Sequence, residues 1–238
     1  MVESTTIEMQ NGNSAVRLAL PAMATPGLPV VEACPEIHPR RERLEQYIAS
    51  VFQAAWDARV LGFLPLLCSL QQRGHFSAAL GLRSANHGPL FCEQYLARPA
   101  LEEVDALHGG RCLPGNLMEL GNLAASHPGQ GALLYLLVTA AIHDAGIRYL
   151  IFAANRAVRL SIRRSGFTPL AIGPARPECL GAAAASWGRY YEGDPRVMVG
   201  DMALTRQQVL AQPALAKTLC DYRASIAVLA SAIREHCA

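Results

Sequence analysis

The sequence predicts an α/β domain: a mixed central sheet flanked by helices, with a C-terminal helical extension. Three observations carry this. Residues 117–170 read as strand, Gly-rich loop, long apolar helix, strand and short basic helix, and joining two parallel strands requires such a crossover helix. Upstream, two apolar stretches meet at Gln71-Gln72-Arg73-Gly74, a hairpin-type turn that makes an antiparallel pair. Near the end, Leu219, Tyr222, Ile226, Leu229 and Ile233 recur at helical spacing.

Taken in order, residues 1–39 hold Ser, Thr, Asn, Gly and five prolines without periodicity, which predicts a mobile arm with one short strand around Val16–Leu20. From Arg40 an amphipathic helix sets in, with Leu44, Tyr47, Ile48, Val51, Phe52 and Ala55 on one face, and ends near Val60. Three extended segments follow, at 63–70, 76–84 and 89–96, then a short helix over 101–107. The strand holding Glu119 leads into Pro128-Gly129-Gln130-Gly131, and the loop opens into the helix 132–145, stopped by Gly146. A strand at 149–153, a basic helix, a looser stretch with an alanine run at 182–185, and a strand at 196–204 complete the domain, predicted over 40–204. Residues 205–238 form the helical extension, with Thr205 as its N-cap.

The 238 residues are 51% apolar with a net charge of +2, so a sizeable core is affordable and no basic stripe points to nucleic acid. The seven cysteines (Cys34, Cys68, Cys92, Cys112, Cys179, Cys220, Cys237) include no C-x-x-C, and no H-x-x-x-H occurs, so neither a disulfide framework nor a metal site is expected. Free thiols and a polar N-terminus without a basic leader point to the cytoplasm, and no apolar run is long enough to span a bilayer. Membrane contact without insertion stays open.

Chemistry concentrates in the 117–170 unit. A strand, Gly loop and helix start aim several unpaired backbone N–H groups at one point, a place for a phosphate or an oxyanion. Gly129, Gln130, Gly131 and Ala132 are the candidate cradle; a plain tight turn is the alternative. There is no Lys-Ser/Thr for a Walker loop and no G-x-G-x-x-G for a dinucleotide. Glu119 sits among Leu117, Met118, Leu120 and Leu123, and a carboxylate on an apolar strand is costly unless paired or used. It serves either as a base or as an ion-pair partner of Arg83 or Arg111. Gly121 and Asn122 suggest a bulge that would turn the backbone N–H groups of Asn122 and Leu123 toward a thioester oxygen. Arg83 (for an acceptor carboxylate), Glu93, Trp187 and Tyr190 complete the candidates, against surface, capping or packing roles.

The order strand, x-x-G-x-G/A loop, helix, strand, helix, Gly166-Phe167 resembles the acyl-CoA core of the GNAT-type acyltransferase superfamily. Gly129 and Gly131 match its Arg/Gln-x-x-Gly-x-Gly/Ala motif, while Ser126 departs from the leading position. ELGNLA (Glu119–Ala124), PLFCEQYL (Pro89–Leu96) and WGRYYEGDPRV (Trp187–Val197), with VGD after it, resemble the thermostable hemolysin family over residues 40–202. That family's name reflects a phenotype and establishes no mechanism. The same layout is similar to acyl-homoserine-lactone and N-acyl amino acid synthases. The resemblance implies transfer of a fatty acyl group from an acyl carrier protein phosphopantetheine or coenzyme A thioester to the amine of a small acceptor. No permanently bound cofactor is implied. A membrane-active lytic protein and a non-catalytic acyl-CoA-binding domain are the alternatives. Arg156, Arg159, Arg163 and Arg164, on one short helix, suit an acidic carrier protein.

Overall fold

A computed structural model of the chain describes residues 28–164 and 166–237. The strand expected at Val16–Leu20 lies outside them. Seven strands form one sheet: β1 (Val30–Cys34), β2 (Leu66–Gln72), β3 (His75–Ser84), β4 (Leu117–Ala125), β5 (Tyr149–Ala154), β6 (Leu170–Pro174) and β7 (Arg196–Asp201). Their order is β1-β2-β3-β4-β5-β7-β6, and β4 with β5 is the parallel pair; the other neighbours run antiparallel. Helix α3 (Gln130–Asp144) makes the predicted crossover between β4 and β5.

The other helices are α1 (Arg41–Trp56), α2 (Ala100–His108), α4 (Arg156–Arg164), α5 (Met202–Leu210), α6 (Pro213–Asp221) and α7 (Arg223–Cys237). Leu134, Leu137, Val138 and Ala141 of α3 join Leu229, Ala230 and Ile233 of α7 against Leu80, Leu82, Met118 and Leu120 of the sheet. Strand alternation puts Leu117 and Ile151 on the opposite face, packed with Leu90, Tyr95 and Val104. A third cluster seats Leu44, Ile48 and Phe52 of α1 on Leu67 and Ala79.

Several local expectations change. Val30–Cys34, inside the stretch expected to be an aperiodic arm, pairs along β2 as an edge strand. The segment 89–96 is not extended: Phe91–Tyr95 form a 3-10 turn, because Glu93 accepts the Leu90 N–H at 2.9 Å and closes it. Strand β2 starts at Leu66, leaving residues 63–65 in the preceding loop. The cap of α5 is Asp201, whose carboxylate accepts the N–H groups of Ala203 and Leu204, rather than Thr205. The closing helical stretch is divided at Tyr222, and α7 is part of the main core.

Candidate active site

The site is built where the parallel pair comes apart. β4 and β5 are paired only from Leu117–Tyr149 to Leu120–Phe152, and beyond that point the two strands diverge. On the other side of β4 the register against β3 slips: Ala79 faces Ala124, but Gly81 faces Gly121. The extra β4 residue is absorbed at Asn122, with φ of +52°, a left-handed conformation that asparagine tolerates better than most residues. The bulge suggested by Gly-Asn is therefore present.

A cavity of about 630 Å³ opens at this divergence, within the range of small-molecule sites. Its sheet wall runs from Glu119 to Ala125, with Ala153 and Asn155 from the far side of the gap. Apolar groups of α1 (Val51, Phe52, Ala55, Trp56), the loop Val60–Leu64, Phe91, Trp187 and Tyr190 make the rest of the enclosure, and Ala157, Val158 and Ile162 of α4 flank the Gly loop.

Glu119 lies at the cavity floor and is 2% exposed. It shares the sheet face of Leu117, which points it at the 3-10 turn. There Oε2 accepts the Phe91 N–H at 2.8 Å and Oε1 the Cys92 N–H at 2.7 Å. Among the described residues no ion pair reaches it. Arg83 is its cross-strand neighbour, yet that guanidinium donates to the Pro89 carbonyl at 3.2 Å. Burial pushes the Glu119 carboxyl above the usual carboxylate range, outweighing the opposing Cys92 thiol, the two amides and Arg83. The same burial, with Glu119 beside it, holds the Cys92 thiol far above an ordinary cysteine.

At the other end, Gly129 stands at the N-cap of α3 with φ of +82°, and the first helical bond runs from Leu133 N–H to its carbonyl at 2.9 Å. Gln130 N–H is turned back to the His127 carbonyl at 3.3 Å, and its side chain meets the Ser77 hydroxyl instead of lining the cavity. Helical geometry leaves the N–H groups of Gly131 and Ala132 without intrahelical acceptors. Gly129, Gly131 and Ala132 all border the cavity, so the positive dipole end of α3 faces it, and the start of α4, where Asn155 Oδ1 accepts the Val158 N–H at 3.0 Å, borders it as well.

The remaining candidates divide. Arg83, Trp187 and Tyr190 line the cavity, with Trp187 and Tyr190 packed at 5.3 Å between ring centres. Glu93 does not: its carboxylate accepts the N–H groups of Leu90 and Ala100, joining the 3-10 turn to the start of α2. Of the basic helix, Arg159 is committed to Asp194 and to the Ala154 carbonyl, while Arg156 and Arg163 are exposed. Sequence reasoning missed the α1 wall and the Val60–Leu64 wall. The available signal was an apolar run, Val60-Leu61-Gly62-Phe63-Leu64, lying outside any strand.

Among the described residues, Glu32, Cys34 and His38 alone bring three potential metal-ligand atoms together, within 4.8 Å of one another. Glu32 is paired with Arg40 at 3.3 Å, and His38 Nδ1 accepts the Arg40 N–H at 3.2 Å. His38 Nε2 lies 3.6 Å from Glu32 Oε1, so Glu32 and His38 are engaged with one another and with Arg40.

A mixed sheet whose parallel pair splays beside a bulge, with a Gly turn and helix N-terminus at the opening, defines a GNAT-like domain. The chain belongs to the thermostable hemolysin family, whose pattern it matches over residues 34–206. Among solved structures it is similar to FeeM, an N-acyl amino acid synthase from uncultured soil microbes: 16% identity, 77% of this chain and 97% of that one, TM-score 0.54. It is also similar to TofI in an apo form, at 15% identity, 78% and 98% coverage and TM-score 0.51. The CoA-dependent acyl-homoserine lactone synthase BjaI follows at 13% identity, 80% and 98% coverage and TM-score 0.49. A search of curated proteins finds no match. Among the described residues no helix is long and apolar enough to cross a membrane.

Proposed function

We propose that this protein is an acyltransferase that moves a fatty acyl group from a thioester to the amine of a small acceptor. One observation carries the reading: a single, largely apolar cavity joins the α3 N-terminus, the β4 bulge and the buried carboxylate of Glu119. Fold alone would not license it, since one fold hosts many chemistries. Here each part of an acyl transfer has a matching group. The amides of Gly131 and Ala132 suit a pantetheine phosphate. The apolar walls suit the acyl chain, and the backbone at Asn122 and Leu123 suits the developing oxyanion.

In this reading the acceptor nitrogen attacks the thioester carbonyl, Glu119 takes the proton released from nitrogen, and the C–S bond breaks to give an amide. The departing thiolate takes up a proton and leaves as free thiol. A carboxylate whose pKa is raised by burial is a stronger base than an exposed one, which is what amine deprotonation near neutral pH requires. The donor we favour is acyl carrier protein, since Ser126 stands where a pyrophosphate-binding Arg or Gln would be in the resembling motif. Arg83 is the proposed partner of an acceptor carboxylate.

The test is direct. Purified protein is incubated with matched acyl-carrier and acyl-CoA donors and an amino acid mixture, and products are read by mass spectrometry. N-acyl products that depend on enzyme support the proposal. Donor binding without product would make the chain a binding domain, and absence of both would end the reading.

A further inference from the structure

The sheet carries an unusual notch directly beside the bulge. Gly81 and Gly121 face one another across β3 and β4, and Leu64 lies flat in the space their missing side chains leave. A Cβ on Gly81 would sit 2.8 Å from the Leu64 Cβ, and one on Gly121 3.0 Å from Leu64 Cδ1, closer than carbon atoms pack. Asn122 then closes hydrogen bonds to the segment on both sides of Phe63. Its Oδ1 accepts the Leu64 N–H at 2.9 Å, and its Nδ2 donates to the Gly62 carbonyl at 3.2 Å. These partners lie some sixty residues away in sequence, so this is a tertiary tie and no local turn. Among the described residues, the only other side chain hydrogen-bonded to this segment is buried Arg41, which donates to the carbonyls of Leu64 and Pro65 and to none of the groups of 60–63.

We propose that Asn122 is a positioning residue: its side chain holds the Val60–Leu64 wall of the cavity closed against the bulge. The residue whose backbone forms the bulge thus also sets the wall, so the substrate enclosure and the oxyanion position move as one unit. The left-handed φ of Asn122 directs its side chain off the strand toward the loop, and asparagine supplies both the acceptor and the donor the two loop groups need. Aspartate would offer only the acceptor, and its charge would oppose the Gly62 carbonyl. Glycine would keep the backbone and remove the tie. Leu61, which lines the cavity yet is 68% exposed, sits at the tip of the segment that would swing when released.

The inference rests on the acyltransferase reading for what the cavity holds, but the tie itself is testable without turnover. Hydrogen exchange at Gly62, Phe63 and Leu64 is compared in wild type, Asn122→Gly and Asn122→Asp, together with binding of cis-parinaric acid. Losing one part-buried and one exposed hydrogen bond shifts a local closing equilibrium by roughly 10-fold. Asn122→Gly should therefore lose about 10-fold protection at Leu64, with α3 and β5 unchanged, and bind parinaric acid about 10-fold more weakly. Asn122→Asp, which keeps the Leu64 bond, should fall between, and covers the case in which the glycine variant folds poorly. Where turnover is measurable, KM for the acyl donor should rise more than kcat falls. Unchanged protection at Leu64 would overturn the tie, and lost protection with unchanged parinaric acid binding would overturn its link to the cavity. If protection falls as expected while wild type neither binds parinaric acid nor makes acyl product, the tie stands and the acyltransferase reading fails.

Discussion

Glu119→Gln separates a base from a merely clamped anion, and the structure sets what it should do. In wild type each carboxylate oxygen accepts one backbone N–H, from Phe91 and from Cys92. Glutamine keeps one acceptor and turns an NH₂ group toward the other amide, leaving a buried donor unpaired at a cost of about 1–3 kcal/mol. For a chain of this length each kcal/mol is worth roughly 2–4 °C, so a cost of about 2 kcal/mol lowers Tm by roughly 4–8 °C. That offset holds at low pH, where the wild-type group is a neutral acid whose hydroxyl oxygen can still accept. The folded carboxyl is raised above its ordinary value of 4.5 by burial. A raised group contributes stability that is full below the unfolded pKa and lost as pH rises through the folded one. The Tm gap between wild type and Glu119→Gln should therefore be widest near pH 4.5 and narrow toward neutral pH, measured by scanning calorimetry. Turnover should fall roughly 100-fold at a pH above the folded pKa, where the wild-type carboxylate is ionised and can act as a base, and the difference should shrink toward pH 4.5 as that group is protonated. A gap that widens with pH would mean the two amides depress the pKa, and Glu119 would then be a structural anion. Wild-type turnover in the variant would refute the base assignment directly.

Gly188 holds φ of +50° with ψ of −124°, and a Cβ there would lie 2.3 Å from the Trp56 carbonyl oxygen, so Gly188→Ala should cost at least about 2 kcal/mol and detach Trp187 and Tyr190 from α1, read as a lowered Tm with weakened fatty-probe binding. Thiol labelling of the native protein should be fast at exposed Cys179 and Cys220, while buried Cys34 and Cys112, with thiols pushed up to about 12 and about 11, should react only after unfolding. Fast native labelling of Cys34 would contradict its packing. Paired Arg156→Glu and Arg163→Glu should cut kcat/KM for an acyl-carrier donor by about 10-fold at low salt and spare acyl-CoA, and equal loss with both donors would rule out carrier docking on this helix. Arg159→Ala is a poor probe of docking, because Arg159 already bonds Asp194 and the Ala154 carbonyl.

The sequence by itself determined the elements whose cause is local. A β4 rich in Leu and Met, a proline and two glycines, and an apolar helix closed by Gly146 specify strand, turn, crossover and parallel strand, because each signal acts within a few residues of its effect. The bulge at Gly121-Asn122 was legible for the same reason, since few residues besides these two accept the left-handed conformation it needs. What Glu119 touches was not legible. Its partners are backbone N–H groups, which every residue carries, so no side-chain identity at 91 or 92 marks them and the charged neighbours Arg83 and Arg111 were the natural guess. Glu93 looked equally chemical in sequence but was consumed by capping the segment that holds Glu119, a distinction set by where the 3-10 turn lands on the sheet. The Val60–Leu64 wall was likewise settled only in three dimensions. An apolar run next to a strand reads as more strand until a glycine notch on β3 and β4 and the Asn122 side chain draw it across the sheet, because long-range packing decides the conformation of a segment whose own propensity is indifferent.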